Sequence, residues 1–230
     1  MSSHADLKAL YPFLHGEPRE PGALAAALLH SVAEKARDSR DTNASFFAAQ
    51  APVLVEAART IAGVFRGGGR LFSMDNGGSS CDAAHIAVEF SHPVTAGRPA
   101  LAAGSLVADL AMISAVGNDV GFEYVFVRQL IAHGKAGDGL IGFSTSGDSA
   151  NLLLAFAKAK AMGIATIGLT GGQGGKMKTS GAVDHLLTVP TSSIHRIQES
   201  HVTAYHILWD LVHTLLADDR GSAMTPGDTV

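Results

Sequence analysis

Short apolar runs of strand length alternate with helical stretches along most of the chain, and this alternation restricts the fold more than any other feature. RLFSM (70–74), ALAAGSL (100–106), GLIGFS (139–144), IATIGLT (164–170) and DHLLTVP (184–190) read as strands. CDAAHIAVEF (81–90), DLAMISAVG (109–117) and SANLLLAFAKAKAMG (149–163) read as helices, and residues 195–217 make a long final one. Strands separated by helices pair in parallel, with helices on both faces of the sheet. The expected class is therefore α/β, a five-stranded parallel flavodoxin-like sheet in the order 2-1-3-4-5. In such a sheet, ligands sit beyond the carboxyl ends of the strands. The Gly/Ser-rich turns at 76–80 and 144–149 both follow strands at that edge.

Ahead of the sheet, Leu24, Leu28, Leu29 and Val32 lie at helical spacing in residues 22–36. DSRDTN (38–43) reads as a break. A second amphipathic helix then runs from Phe46 to Phe65 and is stopped by Gly67-Gly68-Gly69. This reading divides the chain into an N-terminal helical arm (1–40), a sheet domain (41–220) and a flexible tail (221–230). Pro12, Pro18 and Pro21 break up the first stretch.

Hydrophobic residues make up 47% of the 230 residues and charged ones 17%, which supports a buried core and argues against disorder. A net charge of -4 without a Lys/Arg run gives no pull toward nucleic acid. No apolar stretch approaches the roughly twenty residues of a membrane span, and the start, MSSHADLKALYPFLHGEP, lacks the pattern of a signal peptide. Cys81 is the single cysteine, so no intrachain disulfide can form. The expectation is a cytoplasmic protein.

GLIGFSTSGDSAN (139–151) runs a buried strand through Ser144, Thr145, Ser146 and Gly147 into a helix beginning near Ser149. A helix start offers unpaired N–H groups and partial positive charge to an anion. The hydroxyls of Ser144, Thr145, Ser146 and Ser149 add donors, and Gly147 lets the backbone come close. A phosphate held by dipoles and neutral donors fits this loop. Taken alone, Ser146 or Asp148 also reads as an ordinary cap.

His85 and Glu89 share a helix face four residues apart, just after the Asn76-Gly77-Gly78-Ser79 turn. An imidazole and a carboxylate can do acid–base work or hold a metal. They can also be a solvated surface pair, although Ala83, Ala84, Ile86, Ala87, Val88 and Phe90 around them are apolar. On the last helix, Gln198 and His206 are eight residues apart, about 12 Å along the axis. That separation predicts that at least one of them serves a site shared with a neighbouring subunit. His201 and His213 read as surface or interface histidines.

Four segments together resemble a known family: DNGGSSCDAAHIAVEFSH (75–92), AVGNDVGFEYVF (115–126), FSTSGDSANLLLAFAKAKAMGIATIGLTGGQGGKM (143–177) and RIQESHVTAYHILWDLVH (196–213). They are similar to the sugar isomerase (SIS) domain, and specifically to the phosphoheptose isomerases, over residues 40–217. The resemblance implies an aldose–ketose isomerase interconverting sedoheptulose 7-phosphate and D-glycero-D-manno-heptose 7-phosphate through an enediol. It implies Glu89 and His206 as the acid–base pair. It implies His85, Glu89, Gln198 and His206 as ligands of a Zn²⁺ ion. Asn76, Gly77, Gly78, Ser79, Asp119, Ser144, Thr145, Ser146, Ser149 and Gln198 are the implied substrate-binding residues, in a homotetramer with shared active sites. On sequence alone, Asp119 also reads as part of an Asn-Asp turn.

Three positions depart from the family pattern. Asp75 stands where glycine is common, Asp148 where asparagine is usual, and His195 where aspartate or threonine is frequent. The competing reading is a non-catalytic sugar-phosphate-binding regulator or partner-binding protein of the same superfamily. The joint presence of His85, Glu89, Gln198 and His206 favours the enzyme.

Overall fold

The computed structural model describes residues 21–220, so the expectations for residues 1–20 and 221–230 lie outside it. The chain divides at Arg40 into two units. In the first, the described residues are helical and leave Leu24, Leu28, Leu29 and Val32 exposed.

Helix α1 runs unbroken over Pro21–Arg66, which corrects the break expected at 38–43. DSRDTN contains cap-forming residues but no Gly or Pro to end the backbone ladder. Ser45 Oγ bonds back to Asp41 O at 2.8 Å, so this polar side chain is satisfied without leaving the helix. Thr42 and Phe46 are already buried, so packing favours continuation. The stop at the three glycines is as expected. Gly68 takes φ +71°, Gly69 N donates to Val64 O and Gly68 N to Phe65 O, a Schellman ending.

Strand β1 (Leu71–Met74), helix α2 (Ser80–Ser91), β2 (Ala103–Ser105) and α3 (Leu110–Asp119) follow. Next come α4 (Val125–His133), β3 (Gly139–Ser144) and α5 (Ala150–Ala161). Then β4 (Ala165–Gly171), α6 (Gly175–Thr179), β5 (His185–Val189) and α7 (Ile194–Arg220) complete the described chain. All strand pairs are parallel, in the order β2-β1-β3-β4-β5, so the expected topology is the observed one. Helix α4 was not anticipated. It follows a tight turn, Phe122–Tyr124, entered from Gly121 at φ +125°, and buries only Val125, Phe126, Gln129 and Leu130.

Side chains alternate across the sheet. Leu71, Ile141, Phe143, Ile167 and Leu169 join α1, α2 and α7 in one core. Phe72, Met74 and Leu140 join α3, α4 and α5 in the other. Because β1 and β3 are neighbours, with Met74 opposite Gly142, the two Gly/Ser turns leave the sheet side by side.

Candidate active site

The two turns enclose a cleft of ≈ 240 Å³ lined by Asn76, Gly78, Ser79, Ser144, Thr145, Ser146, Ser149 and Gln198, with Asp75 and Ile194. Nine of these ten residues carry no charge at any working pH, and the tenth is Asp75. Ser149 is the N-cap of α5, yet its side chain makes no capping bond, so the helix start remains open to an anion. Gly77 lines an adjoining cavity with Asp75 and Asn76.

The serine loop is locked by its neighbour. Gly147 has φ +71°, its N–H donates to Ser144 Oγ at 3.1 Å, and its carbonyl accepts from Met177 N at 2.9 Å. A Cβ on Gly147 would lie 2.3 Å from Gly174 O, and one on Gly175 would lie 2.3 Å from Ser146 O. The glycines of GGQGG therefore permit two loops to touch backbone to backbone. Asp148 Oδ1 accepts from Lys176 N at 2.9 Å, so this carboxylate serves the start of α6.

Asn76 and Asn151 exchange two amide hydrogen bonds, 2.9 Å from Asn76 Nδ2 and 2.7 Å from Asn151 Nδ2. Asn151 is buried, and this pair ties the first turn to the start of α5. Neither spacing nor periodicity pointed to Asn151. The only sequence signal is an amide in the first turn of a helix on the side that becomes buried.

His85, Glu89 and His206 come together within one chain, each offering a ligand atom within 4.8 Å of the others. His85 Nε2 lies 3.0 Å from Glu89 Oε1, and its Nδ1 lies 2.8 Å from the Tyr205 hydroxyl. That hydroxyl can donate to or accept from Nδ1, so His85 can present either a proton or a lone pair at Nε2. Trp209 Nε1 donates to Glu89 O at 2.8 Å, pinning α2 to α7. Nitrogen and carboxylate donors in this arrangement suit a divalent metal such as zinc. Tyr205 and Trp209 were missed in the sequence. Their positions beside His206 and one turn beyond Tyr205 were the available clue.

Gln198 Nε2 instead donates to Ser79 Oγ at 3.0 Å. Gln198 lines the cleft, while His206 belongs to the triad. Asp119 is exposed at the end of α3, takes a 2.7 Å bond from Asn118 and does not line the cleft of its own chain. His195 is also exposed.

His201 and His213 are buried, which corrects their reading as surface or interface residues. Both lie on the inward face of α7, His201 beside Phe143 and His213 between Phe90 and Trp209. Burial pushes the His201 pKa down to about 4, against a weak bond to Thr170 O, so it stays neutral. Burial likewise pushes Asp75 up to about 7 and Asp82 up to about 6, the latter offset in part by His85. Tyr205 is held above the ordinary phenol range by burial and by the carboxylates of Asp82 and Glu89.

A family model, "SIS domain", matches residues 36–171. The phosphoheptose isomerase of Desulfovibrio desulfuricans is 41% identical over 206 residues, covering 88% of this chain and 96% of that protein. The phosphoheptose isomerase of Roseiflexus is 39% identical, covering 82% and 94%. Among solved structures, the phosphoheptose isomerase GmhA from Neisseria gonorrhoeae superposes with a TM-score of 0.75 at 34% identity, covering 81% of this chain and 99% of its own. One from Francisella tularensis gives 0.77 at 32% identity, with 81% and 98% covered. Identity of this extent over nearly whole relatives, on the same sheet, means that the chain belongs to the phosphoheptose isomerase family of SIS-domain proteins.

Proposed function

We propose that this protein is an aldose–ketose isomerase that interconverts sedoheptulose 7-phosphate and D-glycero-D-manno-heptose 7-phosphate through an enediol. The observation that carries the reading is the assembly of His85, Glu89 and His206 on the helix that grows out of the sugar-sized cleft and the helix packed on it. His85 lies six residues beyond Ser79, about 9 Å along α2.

In this reading Ser144, Thr145, Ser146 and Ser149 hold the phosphate with the N-terminus of α5. Asn76, Gly77, Gly78, Ser79 and Gln198 hold the sugar chain. Glu89 takes the proton from the hydroxyl-bearing carbon beside the carbonyl and returns it to the former carbonyl carbon, while His206 gives a proton to the carbonyl oxygen and takes one from the neighbouring hydroxyl. In the reverse reaction the same groups act at the same atoms, with each proton transfer reversed. His85, Glu89 and His206, with Gln198 as the fourth donor named by the resemblance, would hold Zn²⁺, which when bound polarises the sugar oxygens.

Incubation with sedoheptulose 7-phosphate is expected to yield the aldose, with turnover lowered by a chelator and restored by Zn²⁺. Absence of aldose at high enzyme concentration would remove the reading and leave the binding-only alternative.

We further infer a cytoplasmic homotetramer with active sites completed between subunits. Exposed Leu28, Leu29 and Phe122 offer apolar surface for assembly. Asp119, outside its own cleft, is free to serve a neighbouring subunit's site. The exposed thiol of Cys81 suits a reducing compartment. Sizing with light scattering is expected to give four times the subunit mass, and a monomer active at the same dilution would exclude shared sites.

A further inference from the structure

Asp75 is the one carboxyl in the cleft, and the activity above does not use it. It directly follows β1 and is only 5% exposed. It lines the same cleft as the serine loop and Gln198, and it also borders the adjoining cavity, so it forms part of the wall between them. Its Oδ1 accepts from Asn76 N at 2.6 Å, and Ser79 is its other hydrogen-bonding neighbour. Among the described residues no cation pairs with it: every other residue lining either cavity is neutral. The one ionisable group acting on it is Asp82 of α2, of like sign.

Burying an unpaired carboxylate is expensive. Bracing a turn through Asn76 N is a task that Asn or Ser performs without that cost. The position of this acid is better explained by a ligand. We propose that Asp75 is a substrate-binding and specificity residue, whose carboxyl hydrogen-bonds to an oxygen of the phosphosugar between its phosphate and its reacting carbons. The proposal rests on the isomerase reading.

The neutral form is the one compatible with a phosphate in the same cleft. The carboxyl titrates at about 7, so affinity is held below that pH and lost above it. Asp75→Asn keeps the shape and a donor but cannot ionise. Asp75→Ala removes the contact.

The experiment measures KM and kcat of wild type, Asp75→Asn and Asp75→Ala with sedoheptulose 7-phosphate at pH 6.5 and 8.5, with circular dichroism as the folding control. At pH 6.5, Asp75→Ala is expected to raise KM about tenfold, the equivalent of one good hydrogen bond, with kcat within about twofold. The ratio of wild-type to Asp75→Asn KM cancels the ionisation of the substrate itself. That ratio is expected to rise about tenfold from pH 6.5 to 8.5. A folded Asp75→Ala with unchanged KM, or a ratio flat with pH, overturns the proposal while the isomerase reading stands. If wild type shows no turnover, the isomerase reading falls, and calorimetric titration with the same phosphosugar decides about Asp75. Weaker binding to Asp75→Ala then upholds the contact, and equal or absent binding in both overturns it.

Discussion

Replacing Glu89 with Gln is expected to lower kcat by a factor of about 10²–10⁴ while KM changes little. The substitution keeps the size of the side chain and an acceptor facing His85 Nε2, now 3.0 Å from Oε1. It removes the basic oxygen that would take a proton from carbon. The side chain is 16% exposed, and the Trp209 bond goes to the backbone carbonyl, so the fold loses little. His206→Ala is expected to fall in the same range, and the double variant to fall scarcely further, because acid and base act on one proton path. Single-turnover measurements on protein with matched metal content separate loss of the base from loss of a ligand. Turnover within threefold of wild type in the Glu89→Gln protein would remove this residue from the chemistry.

The second large effect is expected at Gly147. Alanine there meets two obstacles at once, a backbone φ of +71° and a carbonyl oxygen 2.3 Å from the new Cβ. Gly181 is the internal control, since it has φ +66° but open space around the position. Gly181→Ala is expected to cost about 1 kcal/mol, whereas Gly147→Ala is expected to cost roughly 2–4 kcal/mol. The serine loop must also separate from GGQGG, so KM for the phosphosugar is expected to rise at least tenfold. Denaturant unfolding and steady-state kinetics check both values. Equal losses at the two glycines would mean that the loops are not interlocked as described.

The sheet was legible because short runs of strand length alternate with helical stretches, and parallel pairing follows from the helices between them. The helical ends at Gly67–Gly69 and Gly163 were legible for the same local reason. DSRDTN misled because its residues favour caps only when the chain is leaving a helix, and burial of Thr42 and Phe46 keeps it in. Helix α4 was hidden because it is only nine residues long and opens on β-branched and aromatic residues, Val125, Phe126 and Val127, which are weak helix formers. At the site, His85, Glu89 and the serine loop could be found from spacing along one element. The bonds to Tyr205 and between Asn76 and Asn151 join residues 120 and 75 positions apart, and spacing along one element holds no record of such pairs. The inward histidines His201 and His213 show the same limit, since a helix face reveals which side is buried only once its partner is known.

The cleft between the two turns contains no lysine or arginine among its lining residues. In the proposed reaction, substrate and product carry the same phosphate, so whatever strength grips one grips the other. Such uniform affinity lowers the half-saturating concentration in both directions and leaves the chemical barrier untouched. A cradle of hydroxyls and a helix end sets that affinity by neutral dipoles, which bulk electrolyte screens less than it screens an ion pair. The product is then not retained by a formal charge, and a freely reversible enzyme can empty itself as readily as it fills.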